Sequence, residues 1–198
     1  MAGKKGTKVV DKWKSKKWYI ALAPTSLESK ELGEVVSSEE DNLKDRIIKR
    51  SLMELGMNQN SQMAMFTNML FRVTEVKGNN AHTKLIGHEI APSYIKTFAR
   101  RDKSLIHEVV DVKTKDSENV RLKVIAVTGA RVSENTRRNI RKALVEEIKK
   151  NSEALTFDEL FQELLYGRFS SKLFTRLKQI TQMRRVEVRK SERQEIFK

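Results

Sequence analysis

Three histidines, His82, His88 and His107, are the side chains best suited to moving protons or holding a metal near neutral pH. Their spacing supports neither task. Six positions separate His82 from His88 in a stretch that alternates like a strand, no His-Glu-x-x-His step sets two rings on one helix face, and His107 stands alone. Each is expected as a partly buried or surface imidazole. The chain has no cysteine, which removes disulfides, thiolate zinc sites and a cysteine nucleophile together. It also lacks the glycine-rich loops that cradle phosphates and the Gly-x-Ser-x-Gly elbow that presents a nucleophile. The expectation is a protein that is not an enzyme, with no metal, cofactor or small-molecule substrate.

The chemistry that is abundant is cationic. Among 198 residues, 40 Lys and Arg face 26 Asp and Glu, a net charge of +14. Such an excess implies a polyanionic partner, because neutralising closely spaced phosphates releases their counterions. DNA, RNA and an anionic membrane surface all meet that description. No apolar stretch approaches the roughly 20 residues a membrane span requires, so no membrane partner is expected. The opening Met1-Ala2-Gly3-Lys4-Lys5-Gly6 leads into charged residues rather than an apolar signal core, and a cytoplasmic location is expected.

The elements that must position these cations read as α+β, with an antiparallel β-rich core, barrel- or sandwich-like, followed by C-terminal helices packed on it. Residues 1–17 form a basic arm, too poor in apolar residues to order without a partner; 18–190 form a single α+β RNA-binding domain and 191–198 a charged tail. Trp18, Tyr19, Ile20 and Leu22, stopped by Pro24, predict a first strand with Trp18 and Tyr19 in the core. Between Leu32 and Val76 the signal is mixed. Phe71 to Thr74 and Thr83 to His88 predict a hairpin around Lys77-Gly78-Asn79-Asn80, and Ile106 to Val112 with Val120 to Val127 predict a second. A short helix is expected from Pro92 to Arg101.

Past Gly129 the period lengthens to about 3.6. Ser133 caps a helix to Lys150 with Ile140, Leu144 and Ile148 inward, and Thr156-Phe157-Asp158-Glu159 is a capping box that starts the next. A third helix, from Ser170 to Gln182, turns Leu173, Phe174, Leu177 and Ile180 inward, and Arg185 to Arg189 predict a last strand.

The candidate RNA-binding residues follow from this layout. In the arm they are Lys4, Lys5, Lys8, Lys12, Lys14, Lys16 and Lys17, with Trp13 placed to stack on an unpaired base. On the Ser133 helix, Arg138, Lys142 and Lys149 lie opposite the apolar face with Arg141 on the flank, while Arg137 falls toward the apolar side. Arg121, Arg184, Arg185, Arg189 and Lys190 sit on strands. Arg100 and Arg101 either meet phosphate or complement a helix dipole. The helix of Asp158, Glu159 and Glu163 is acidic and should face solvent or a basic protein.

Four groups of residues occur in order: Trp13-Lys14-Ser15-Lys16-Lys17-Trp18-Tyr19; Gly87-His88-Glu89 through Tyr94-Ile95 to Arg100-Arg101; Val112-Lys113-Thr114-Lys115-Asp116 leading to Val120-Arg121; and Arg184-Arg185-Val186-Glu187-Val188-Arg189-Lys190. Together they resemble the archaeal and eukaryotic small-subunit ribosomal protein family S3Ae, also called eS1, in its shorter archaeal form. The resemblance implies a structural constituent of the small ribosomal subunit, bound to small-subunit ribosomal RNA and neighbouring small-subunit ribosomal proteins. It further implies a place on the platform near the messenger exit, within reach of messenger RNA. A free regulator that binds messenger RNA or DNA would show the same charge pattern. Three departures stand out: the family's proline before the closing arginine pair is absent, the stretch after Arg101, Asp102-Lys103-Ser104-Leu105-Ile106-His107, is less basic than the usual pattern and weakens this loop as the main RNA grip, and Asp45-Arg46 replaces a usual Gly-Arg.

Overall fold

The computed structural model describes residues 13–56 and 62–195, so Lys4, Lys5, Lys8 and Lys12 lie outside the described residues. These residues form two compact units, one from residues up to 48 with 71–85, the other from 49–70 with 86 onward.

In the first unit, a turn at Trp13 leads into β1 (Lys17–Leu22), which pairs antiparallel with β2 (Glu31–Ser37). Strand alternation sends neighbouring side chains to opposite faces. Tyr19 is accordingly 2% exposed while Trp18 is 60% exposed, which corrects the expectation that both are core residues. Three further strands run from one unit into the other: β3 (Ile47–Ser51), β4 (Thr67–Lys77) and β5 (Asn80–Ile90). The predicted hairpin is β4–β5, turning at Gly78 with φ +62°. The start of β5 then runs parallel to β1, with Ile20 opposite Asn80, so the sheet is mixed rather than wholly antiparallel.

Asp45 occupies a left-handed conformation, φ +62°, held by its amide donating to the Val73 carbonyl at 2.9 Å, while the Val73 amide donates to Arg46 at 3.0 Å. This explains why glycine suits the position. The left-handed region costs an L-residue about 1–2 kcal/mol, offset in part by glycine's looser unfolded chain. Asp45→Gly is expected to raise stability by about 0.5–1 kcal/mol in chemical denaturation; an unchanged or lower midpoint would count against the strain.

The second unit carries the helices. Its ladder runs from the end of β5 to β8 (Met183–Arg193), then β7 (Asn119–Thr128) and β6 (Leu105–Lys113), all antiparallel. Among the described residues β6 pairs only with β7, so the ladder ends open instead of closing into a barrel. On one face, α3 (Glu134–Glu153) packs against β6, and α5 (Arg168–Lys178) packs against β8, α3 and α4 (Phe157–Leu165). Both predicted caps form: the Ser133 hydroxyl accepts from the Thr136 amide, and Thr156 and Glu159 exchange hydrogen bonds at 3.4 and 2.9 Å. Ile140, Leu144 and Ile148 are fully buried. Ile180 is not: α5 ends at Lys178 and leaves it 37% exposed, while Phe169, one turn before Leu173, is buried in the core.

The opposite face at the end of β7 is covered by the chain around α2 (Pro92–Lys96), whose Phe98 packs on Ile125 and Val127 with Tyr94 and Ile95 beside it. α2 is shorter than the helix expected to reach Arg101. The Thr97 hydroxyl turns back to the Tyr94 carbonyl at 2.6 Å, and Phe98 enters the cluster. Arg100 and Arg101 therefore lie in the following loop, and no helix dipole accounts for them.

Candidate nucleic-acid interface

Strand β8 positions most of the described basic residues that share a site. A regular strand alternates faces, yet along β8 Met183 is buried, Arg184 and Arg185 are exposed, and Val186 is buried again. The register explains this. Thr128 pairs with Met183 and Val127 with Arg185, leaving Arg184 as an extra residue; Lys123 pairs with Lys190 and Val124 with Val188, leaving Arg189 as another. Each is a β-bulge, which re-aims side chains without disturbing the inward spacing of the strand. Both basic pairs thus sit away from the core while Val186, Val188 and Ser191 remain buried.

The first bulge opens onto a cleft of about 250 Å³ lined by Thr97, Phe98, Arg100, Val127, Arg184 and Arg185. Among the described residues Phe98 is its one aromatic lining residue, and the Tyr94 ring packs against it. Tyr94 stacks on Phe66 with centroids 4.4 Å apart and meets Phe98 edge to face at 5.1 Å. The Arg185 guanidinium lies 5.1 Å over Phe98 and 5.7 Å over Tyr94 and donates to the Tyr94 hydroxyl at 2.8 Å. Its nearest carboxylate is Glu187 at 4.0 Å, whose own pKa is pushed up by burial. Arg100 and Arg184 have no carboxylate partner among the described residues, and no acidic residue lines the cleft.

Around the second bulge the charge is partly spent. Lys190 pairs with Glu192, which also takes Lys123 at 3.3 Å. Arg189 lies near His107, whose pKa falls through burial and through that charge.

The remaining candidates divide the same way. Arg138, Lys142 and Lys149 are exposed along α3 with no carboxylate partner among the described residues. Arg141 instead pairs with Glu134 at 3.4 Å and Glu108 at 3.8 Å, and Arg137 with Glu134 at 3.4 Å and the Ser104 hydroxyl at 3.2 Å. Arg121 directs its fork at Asp111, at 2.7 and 2.9 Å, which lowers the pKa of that carboxyl. Lys14, Lys16, Lys17 and Arg101 are exposed, and the Lys16 ammonium sits 4.0 Å over the Trp13 ring. Phe98 in the cleft wall, with Tyr94 packed against it, carries no local sequence signal of that role. Arg184 and Arg185, expected to flank an ordinary alternation, fall between buried Met183 and Val186, and two polar residues between two apolar ones is the sequence mark of a bulge.

Comparison with known proteins agrees on one family. The model of the ribosomal S3Ae family matches residues 4–195. Small ribosomal subunit protein eS1 of Desulfurococcus amylolyticus is 33% identical over 96% of this chain and 88% of its own length. The proteins of the same name from Staphylothermus marinus and Methanococcus maripaludis are each 34% identical, over 92% and 95% of this chain and 85% and 83% of their own lengths.

Proposed function

We propose, from the premise that this chain belongs to the ribosomal S3Ae family, that it is a structural constituent of the cytoplasmic small ribosomal subunit and holds small-subunit ribosomal RNA through its basic surfaces. The observation that carries the RNA contact is the cleft under the first β8 bulge, where Arg100, Arg184 and Arg185 converge with no acidic residue in the lining. The α3 stripe of Arg138, Lys142 and Lys149 and the arm of residues 1–17 supply further phosphate contacts in this reading. The paired residues Arg121, Arg137 and Arg141 contribute less, since their charges already face carboxylates. Residues 18–190 act as the RNA-binding body, on the platform beside neighbouring ribosomal proteins and near the messenger exit, where messenger RNA passes within reach.

Titration against small-subunit RNA at several salt concentrations tests the mechanism. The log of the affinity is expected to fall linearly with log salt, and Arg138→Ala/Lys142→Ala/Lys149→Ala is expected to make the slope shallower by about 2–3 while leaving thermal unfolding unchanged. A slope near zero for the unsubstituted protein would rule out phosphate contact. Stoichiometric retention in salt-washed small subunits is the expected sign of a structural role, and loss at moderate salt would instead indicate a free regulator.

A further inference from the structure

We infer that the cleft beneath the first β8 bulge takes a single unpaired nucleotide, its base stacked on the Arg185 guanidinium and its phosphate held by Arg100 and Arg184. The inference rests on the RNA-binding reading above and narrows it from a charged surface to a site for single-stranded RNA.

Three observations lead there. The cleft, about 250 Å³, is smaller than the roughly 300–1,000 Å³ of ordinary small-molecule sites, a size that suits one base with its phosphate at the rim. Duplex phosphates are met by cations spread along a surface, as on α3, whereas unpaired bases are met by stacking planes with cations beside them. Arg185 supplies such a plane. Its guanidinium carbon lies 5.1 Å from the Phe98 ring centre and 5.7 Å from that of Tyr94, the Tyr94 hydroxyl accepts one of its N–H groups, and the side chain remains 43% exposed as part of the cleft wall. A guanidinium already tethered by that hydrogen bond and by the two rings loses little freedom when a base stacks on it.

Arg100 and Arg184 complete the site as cations without carboxylate partners among the described residues, one from the loop after α2 and one from the bulge itself. Removing the bulge would turn Arg184 and Arg185 to opposite faces of β8 and dismantle the site.

The test uses the full chain with a short single-stranded RNA carrying 2-aminopurine, and the same strand annealed to its complement. Arg185→Lys keeps the charge and removes the plane. It is expected to weaken single-strand binding about tenfold, leave duplex binding and the salt slope unchanged, and abolish the change in 2-aminopurine fluorescence that accompanies transfer of the base from its neighbours to the cleft. Arg100→Ala, on an exposed loop where folding is not at stake, is expected to weaken the single strand selectively and reduce its salt slope by about 0.7. Equal losses for single strand and duplex in both variants, or no change in 2-aminopurine fluorescence with the unsubstituted protein, would overturn the nucleotide site while leaving RNA binding standing. Failure of every RNA form to bind would overturn both readings.

Discussion

Gly87→Ala is expected to destabilise the second unit by about 3 kcal/mol or more. A Cβ at Gly87 would lie 2.0 Å from the Ser191 carbonyl oxygen and 2.8 Å from its carbon. Both are backbone atoms of β8, held by the ladder in which Gly87 pairs with Glu192 and His88 with Ser191, so neither can swing aside as a side-chain end would. Relief requires the strands to part. Gly78→Ala, in the turn that precedes β5, is the contrast: its φ of +62° is strained for alanine, but nothing lies within 4 Å of the added carbon. It should cost only about 1 kcal/mol. Urea denaturation of the two variants measures the difference, and equal losses would show that close approach is not what glycine provides at position 87.

Acidification from pH 6.5 to pH 4 is expected to remove about 3 kcal/mol of stability through His88 alone. Its ring is buried, with Nε2 3.1 Å from the Val188 carbonyl and Nδ1 2.7 Å from the Ser191 hydroxyl, whose oxygen also accepts the His88 amide at 3.1 Å. A carbonyl can only accept, so Nε2 carries the proton and Nδ1 accepts from the hydroxyl. Burial drives the imidazole pKa from 6.5 down to about 4. The unfolded chain therefore takes up a proton that the folded chain refuses. The stabilisation is complete above the unfolded value of 6.5 and is lost as pH falls through the window toward 4. Glu187, its carboxyl pushed up by burial, contributes with the opposite sign, so the comparison must be between proteins that both retain it. His88→Gln is expected to flatten the stability profile between pH 4 and 6.5. The same slope in both proteins would remove His88 as its source.

Local signals in the sequence that depend on one short stretch translated directly. The capping box at Thr156, the Ser133 cap and the turn at Gly78 all form where residue chemistry placed them, because each is decided within a few residues. Tertiary packing decided the rest. Trp18 and Tyr19 are equally apolar, and only the identity of the covered face tells them apart. The helix begun at Pro92 stops early because Phe98 is drawn onto Ile125 and Val127, residues nearly thirty positions later in the chain. For the candidate site, charge identified arginines and lysines but not which were already paired. Arg121 and Arg138 look alike in sequence, yet one is clasped by Asp111 across a ladder and the other stands clear on a helix. The cleft was hidden for the same reason, since it joins a loop arginine to a strand bulge some eighty residues away.

The place of β8 in its ladder sets an order of events in time. Although it is the last described strand in the chain, it lies between β5 and β7, and the pairing of His88 with Ser191 spans 103 residues. While the protein is being made, the facing edges of β5 and β7 have no partner until these final 11 strand residues emerge. Such edges invite mispairing, and contacts of this separation form slowly. Arg184 and Arg185 arrive on that same strand, so a nascent chain acquires the cleft in the step that completes its ladder, and a chain truncated or stalled before β8 lacks the proposed RNA site.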